Sequence, residues 1–282
     1  MALCARRGAV AFFQFPAPSS ICIRSFSTSP RVFAAVRGDT QLPQQRQPAE
    51  RSFKIAMKEM ERDASQLPND LGLLPDTFVP PTGQNRIDFI NNPKYLPTLV
   101  WLRVKNLWQN YFSLILARIF IQKNLKLQFL KTKPTAVDLH RQMYTAFAEG
   151  NTALLRRICA DGLFESFSAR IAARKRTGLR WTLHKYNRGV RCVSDRYTQL
   201  PIEGAGIRQA VVRIPSRQSL TKLAADGTTV PGSGRERNLV EYVVIQKRII
   251  KGKDEPWMVW GTTEETTLKT VHEEERQKKL GM

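Results

Sequence analysis

The stretch Leu179-Arg180-Trp181-Thr182-Leu183-His184 alternates strictly, apolar at 179, 181 and 183 and polar at 180, 182 and 184. A period of two marks a strand with one buried face. From 98 to 176 the apolar residues recur with a helical spacing, and from 179 to 260 they recur as strands. Helices first and an antiparallel sheet after them is the order of an α+β domain.

Downstream of 184, Asn187-Arg188-Gly189 is a turn signal, so 179–184 and 190–200 read as a hairpin. A third strand follows at 206–217. Residues 218–238 hold Asp226-Gly227 and Pro231-Gly232-Ser233-Gly234 and read as a long loop. The run Val240-Glu241-Tyr242-Val243-Val244-Ile245 places 239–250 in a central, covered position. Lys251-Gly252-Lys253-Asp254 then turns into a last strand, Trp257-Met258-Val259-Trp260. The sum is a curved antiparallel sheet of about four to five strands, wrapped like a cone around a long helix. Residues 264–282 read as a charged, exposed terminal helix or tail.

Upstream, three short helices are expected. One runs 135–149, opened by the capping-box-like pair Thr135 and Asp138 and lined by Leu139, Met143 and Phe147. The others run 151–159 and 163–176, the first after Gly150 and the second closing on Gly178. Before them, 98–131 is a long helical pattern that Thr98 can cap. On one narrow side lie Asn106, Gln109, Asn110, Ser113 and Ala117; large apolar residues cover most of the rest. Its uncharged stretch, Asn106 to Ala117, spans roughly 18 Å at about 1.5 Å per residue, against a hydrocarbon core of about 30 Å. The helix is therefore too short to cross a bilayer. It either packs broadly on protein or lies in a membrane interface, where Trp101, Trp108 and Phe112 would insert and Arg103, Lys105, Arg118 and Lys123 would meet anionic headgroups. No acid occurs between Asp88 and Asp138. Residues 67–97 hold six prolines among Leu71, Leu73, Leu74, Phe78 and Val79. That composition forbids a long helix and gives an extended arm that packs on the domain or on a partner. Residues 39–50 read as a linker, and 51–66 as a short helix with Phe53, Met57 and Met60 on one side.

Met1 to Gly38 holds five arginines and no acid, among Ala, Phe, Ser and Pro. This is the composition of a mitochondrial presequence, with 1–33 as the expected removed segment. The organisation is then a presequence at 1–33, a linker and proline-rich arm at 34–97, an α+β domain at 98–263 and a tail at 264–282. Net charge is +21. Such a charge selects polyanionic partners, either RNA or an anionic membrane surface, and is silent about fold.

No Walker lysine loop, dinucleotide-binding glycine pattern or nucleophile-elbow motif is present, and no cofactor or metal is expected. Cys159 and Cys192 are the cysteines outside the presequence, and the three histidines are scattered. His184 reads as exposed or RNA-facing rather than as a base, Cys159 as a core residue, and Gly204-Ala205-Gly206 as loop glycines. The chain is not expected to be an enzyme. The residues that stand out are basic. Segment 164–218 carries twelve cations against three acids. Within it, Arg170, Arg174, Lys175, Arg176, Arg180, Arg188 and Arg191 are the candidate RNA contacts, since arginine suits bidentate phosphate binding.

The stretch Leu71-Gly72-Leu73-Leu74-Pro75-Asp76-Thr77-Phe78-Val79-Pro80-Pro81, the aromatic-basic helix from Trp101 and the strand pair Glu241 to Trp260 resemble one family. It is the fungal inner-membrane mitoribosome receptor of the Mba type. That family shares its fold with the C-terminal domain of the import-motor tether and with a mitoribosomal large-subunit protein at the tunnel exit. The resemblance covers roughly residues 60–263. It implies a peripheral protein on the matrix face of the inner membrane. Its partners would be the mitoribosome large subunit, anionic inner-membrane lipids and an Oxa-type insertase. A constitutive large-subunit protein and an import-motor tether are the alternatives the resemblance leaves open.

Overall fold

Helices precede strands along the chain. They are α1 (Leu96–Leu116), which widens into a π turn at Ala117–Ile121, α2 (Phe129–Glu149), α3 (Thr152–Ile158) and α4 (Asp161–Ala173). The strands are β1 (Gly178–Tyr186), β2 (Arg191–Gln199), β3 (Ala205–Leu223), β4 (Arg237–Ile250), β5 (Lys253–Asp254) and β6 (Met258–Thr263). The computed structural model describes residues 57–58, 70–82, 96–121, 129–174, 177–202, 204–250, 253–267, 270 and 276. All of these fall in one compact unit, residues 40–282. The presequence, the 39–50 linker and nearly all of the 51–66 helix lie outside the described residues, as do Lys123, Lys175 and Arg176.

The fold is α+β: among the described residues, four helices pack against a curled antiparallel sheet. Its spine is the β3–β4 pair, in register from Ala205↔Ile250 to Gln218↔Arg237. On the far edge of β4 lie β6 and then β5. On the far edge of β3, β1 pairs with the C-terminal half and β2 with the N-terminal half. The strands flanking Asn187-Arg188-Gly189 therefore do not form a hairpin with each other. They are successive pieces of one edge ribbon, and the Asn187 amide still donates to the Pro215 carbonyl at 2.8 Å as the ribbon passes. The third strand also continues six residues beyond 217, which shortens the expected loop at its N-terminal end. Gly206 lies inside β3, not in a loop. It sits where the Tyr197 ring crosses, and a Cβ there would land on the phenol.

Both faces of the β3–β4 spine are covered. Ala210, Val212, Ile214, Val243 and Ile245 face the helical layer, where Leu139, Met143, Phe147, Leu155 and Phe167 meet them. Each large apolar side chain among them contributes on the order of 1.5–3 kcal/mol by leaving water. The expected helix at 135–149 begins six residues earlier, at Phe129. Thr135 is no cap: its hydroxyl donates to the Lys131 carbonyl at 2.7 Å. Pro134 is the sixth residue of the helix, past the free amides of the first turn, so the Leu130 carbonyl forgoes its helical donor. Asn151 does cap α3, its side-chain oxygen accepting from the Leu154 amide at 3.0 Å. Cys159 is core, as its context implied, and burial pushes its thiol up to about 12.

The other face is covered by the arm. Leu71 and Leu74 pack with Leu200, Ala205 and Ile207, and Val79 packs with Val211, Val244 and Trp260. Polar anchors fix its path. The Gln209 side chain accepts from the Leu74 amide at 2.9 Å and donates to the Gly72 carbonyl at 3.0 Å. The Trp260 indole donates to Asp70 at 2.7 Å. Buried Arg196 donates to the carbonyls of Pro75 and Leu74 and to the Thr77 hydroxyl. Burial lowers its pKa to about 10, with Asp76 acting in the opposite direction. Residues 70–82 of the proline-rich arm thus pack on the sheet. Glu265 joins it from the C-terminal side, accepting from Thr82 and from the Tyr242 hydroxyl.

Candidate interaction surfaces

Two surfaces and one buried cluster carry what chemistry the fold offers. The first surface is α1. An edge strand exposes unpaired backbone groups that must be covered or satisfied, and α1 does both for β2. Asn106 and Asn110 donate to the Val193 carbonyl at 3.3 and 3.4 Å. The Asn110 oxygen accepts from the Asp195 amide at 3.3 Å and the Ser194 hydroxyl at 3.0 Å. Ser113 accepts from the Tyr197 amide at 3.3 Å. The narrow polar side of the helix has taken the place of a neighbouring strand. Leu114 and Ala117 close the contact against Tyr197 and Ile249.

Turning the polar side inward leaves the apolar side outward. Trp101 is 66% exposed, Trp108 67%, Tyr111 62% and Phe112 54%, and Val100, Val104, Leu107, Ile115 and Ile119 are exposed beside them. Among the described residues, this side of the helix is exposed rather than packed broadly on protein. The expected membrane residues separate. Trp101, Arg103, Trp108, Phe112 and Arg118 are exposed, whereas Lys105 is half-buried and bridges to Asp76 of the arm at 3.2 Å. The long helix is also not the one enclosed by the sheet. That place belongs to α2, and α1 lies on the β2 edge.

The second surface is basic. Antiparallel register puts Lys185 directly opposite Arg217, and Arg191 directly opposite Arg213. Arg180, opposite Thr221, falls on the same sheet face. Like charges facing each other across a ladder cost stability unless an anion meets them. Glu236 contacts Arg217 and reaches His184 at 3.6 Å. Arg213 donates to the Gly189 carbonyl at 3.3 Å, and Arg188 is exposed in the turn beside it. Arg180, Lys185, Arg188 and Arg191 are exposed, the last three where the edge ribbon changes strand and Arg180 toward the other end of β1.

Of the sequence candidates, this surface gathers Arg180, Arg188 and Arg191. Arg170 and Arg174 lie on α4 and at its end, in the helical layer. Arg174 has work inside the fold: it donates to the Phe147 and Ala148 carbonyls at the end of α2 and stacks 3.8 Å over the Phe147 ring. Burial, then the charge of Arg170, lowers its pKa to about 10. Sequence reasoning missed Lys185, Arg213 and Arg217 as members of the group, because only register shows which cations face one another. His184 does have an acid beside it, Glu236, contributed from 52 positions downstream across the sheet, while its Nε2 contacts Ser219 at 2.9 Å.

The buried cluster centres on Glu241, 2% exposed. Its carboxylate meets His140 Nε2 at 2.9 Å, accepts from the Gln218 amide at 2.8 Å and accepts from the Tyr144 hydroxyl. Trp181 donates to Gln218 at 2.8 Å, and Tyr186 closes the far side of His140 at 3.4 Å. Burial alone would raise the Glu241 pKa. The hydrogen bond and charge of His140, with the Tyr144 and Gln218 hydrogen bonds, outweigh it, and the carboxyl is held below its ordinary value. Burial and Glu241 together push Tyr144 well up. A buried polar cluster inside the curl is what a pocket enzyme would show, and the sequence pointed to none. Each member here is partnered by another, and His140 and Gln218 are fully shut from solvent. The cluster locks α2 to the sheet. A second lock, Arg208 bidentate on Asp195 at 2.8 and 2.7 Å, ties β3 to β2 between the rings of Phe129 and Trp257. Among the described residues no cluster of side chains could hold a metal, and no helix is long and apolar enough to cross a membrane.

A family model described as MBA1-like protein matches residues 58–280. No curated protein matches the chain. Among solved structures, the intermembrane space region of the chloroplast protein ARC6 aligns at 12% identity and a TM-score of 0.33. The alignment covers 49% of this chain and 97% of that one.

Proposed function

Since the chain belongs to the MBA1-like protein family, and so to proteins associated with the mitoribosome, we propose that it is a peripheral receptor on the matrix face of the inner membrane. It docks the large subunit, at its tunnel exit, for co-translational insertion of mitochondrially encoded proteins beside an Oxa-type insertase. It does so by binding alone, without catalysis. The observation that carries this reading is the orientation of α1. Asn106, Asn110 and Ser113 are taken up by the β2 edge, and a row of aromatic and aliphatic side chains is left in solvent with Arg103 and Arg118 alongside. Amphipathic helices of this kind lie in the headgroup region, anchored by Trp and Phe and assisted by cations. The cations around the β1–β2 junction supply the opposite contact. They suit the rRNA backbone, which is recognised through phosphate and shape rather than base sequence.

The reading is tested by mixing purified protein with large mitoribosomal subunits and cardiolipin-containing vesicles and floating the vesicles. Subunits should float only when the protein is present, and should be released as salt rises. Subunits that stay at the bottom of the gradient with protein present would end the receptor reading. Protein that remains on subunits through a stringent high-salt gradient would identify a constitutive subunit instead. Co-purification with the presequence channel and matrix chaperone would identify an import-motor tether.

A further inference from the structure

Beside the exposed row of α1 lies a cleft of about 230 Å³, walled by Leu107, Tyr111 and Leu114 of α1, by Phe129 at the start of α2, and floored by Cys192 and Ser194 of β2. Leu107, Tyr111 and Phe129 are themselves exposed, so its mouth is continuous with the apolar face. The polar groups that reach the floor already have partners. Asn110 serves the β2 backbone and the Ser194 hydroxyl. Asp195 is held by Arg208, and the Cys192 thiol donates to the Ser194 carbonyl at 3.3 Å. A cleft whose hydrogen-bonding groups are satisfied internally selects an apolar occupant.

We propose that this cleft takes one acyl chain of a membrane lipid, so that the protein holds a lipid as well as resting on the bilayer. The assignment rests on the membrane reading of α1, because continuity with that face is what brings an acyl chain to the mouth. A methylene occupies about as much space as a water molecule, about 30 Å³, so the cleft accommodates a run of about seven or eight. Lys131 and Lys133 follow Phe129 on the first turns of α2 and are exposed, cations of the sign that an anionic headgroup requires.

Cys192 is exposed at the cleft and Cys159 is buried, which provides a footprint without any substitution; partial burial raises the Cys192 thiol too, to about 12, so its labelling is slow and is followed as a rate. The full-length protein is alkylated with N-ethylmaleimide and read peptide by peptide by mass spectrometry. It is compared alone, with phosphatidylcholine–cardiolipin vesicles, and with octyl glucoside below its micelle concentration; flotation is measured on the vesicle samples. The expected result is at least fivefold slower alkylation of Cys192 with vesicles and with octyl glucoside, while Cys159 stays unreactive throughout. Flotation with unchanged Cys192 reactivity would overturn the cleft and leave membrane docking standing. Protection by vesicles but not by octyl glucoside would mean surface shielding alone and would equally overturn it. Protection by octyl glucoside in protein that does not float would uphold the cleft and remove the membrane reading instead.

Discussion

The side-chain oxygen of Asn110 accepts from the Ser194 hydroxyl at 3.0 Å and from the next residue's amide at 3.3 Å. Through that one residue a helix closes the open edge of a sheet, and the same contact fixes which side of the helix faces outward. Asn110→Leu should loosen α1. It orphans part of the β2 edge, at about 1–3 kcal/mol for each unsatisfied buried group. A lower urea midpoint and faster hydrogen exchange at the Asp195 amide would report it; unchanged exchange would mean that the helix is held by Leu114 and Ala117 alone.

Gly206 sets the floor on which α1 rests. A methyl group there collides with Tyr197, whose ring packs under Leu114 and Ala117. Gly206→Ala should therefore destabilise the fold by about 1–3 kcal/mol, as overpacking usually does, read as a shift in denaturation midpoint. Tyr197→Leu in the same background should restore part of the loss, because it removes the colliding ring.

Glu241 makes stability pH-dependent with a defined sign. Its carboxyl is held below the ordinary value in the folded state. Its contribution is then fully present above the unfolded carboxylate value of about 4.3, and is lost as pH falls through the lowered folded value. Glu241→Gln should lower stability at pH 7 by about 3 kcal/mol, since it breaks a buried charged hydrogen-bond centre. It should also flatten the acid limb of stability against pH. Denaturation midpoints between pH 7 and pH 3 check both; parallel curves for the two proteins would show that other carboxylates govern acid unfolding.

The cations of the edge ribbon and Arg174 should part company under substitution. Lys185→Glu with Arg191→Glu should leave the fold intact, relieve two like-charge cross-strand pairs and weaken large-subunit binding. The slope of log affinity against log salt should fall by about one for each phosphate that the protein no longer neutralises. Arg174→Glu should lower the denaturation midpoint, because its guanidinium holds the α2 carbonyls and the Phe147 ring. Loss of ribosome binding by a fully stable Arg174→Glu protein would return that residue to the docking surface.

What the sequence disclosed was whatever repeats within one element. The alternation at 179–184 and the unbroken run at 240–245 placed β1 and β4 correctly, since a period of two survives any tertiary arrangement. The arm was legible as well, because prolines forbid regular structure and leucines demand cover. Contacts between distant residues were not legible. His140 and Glu241 are 101 positions apart, and neither carries a local signature of the other. The turn at 187–189 misled because a hairpin signal describes the bend and not the partner, and both flanking strands chose β3. The polar and apolar sides of α1 could be read from residue spacing, but not which of them faces inward. Ordinary amphipathic logic turns the apolar side to the core; here the need to satisfy an open strand edge reversed it.

Membrane docking stands or falls with the outward apolar row of α1, and vesicle affinity measures that row directly. Wild-type protein and the triple variant Trp101→Ser, Trp108→Ser, Phe112→Ser are titrated with phosphatidylcholine–cardiolipin vesicles, with denaturation midpoints recorded alongside. These side chains are exposed in the free protein, so the midpoint should hold while vesicle affinity falls at least a hundredfold, which corresponds to about 2.7 kcal/mol against the several kcal/mol that three buried aromatics can contribute. Equal affinity for both proteins at equal stability would contradict the claim that this face meets the membrane.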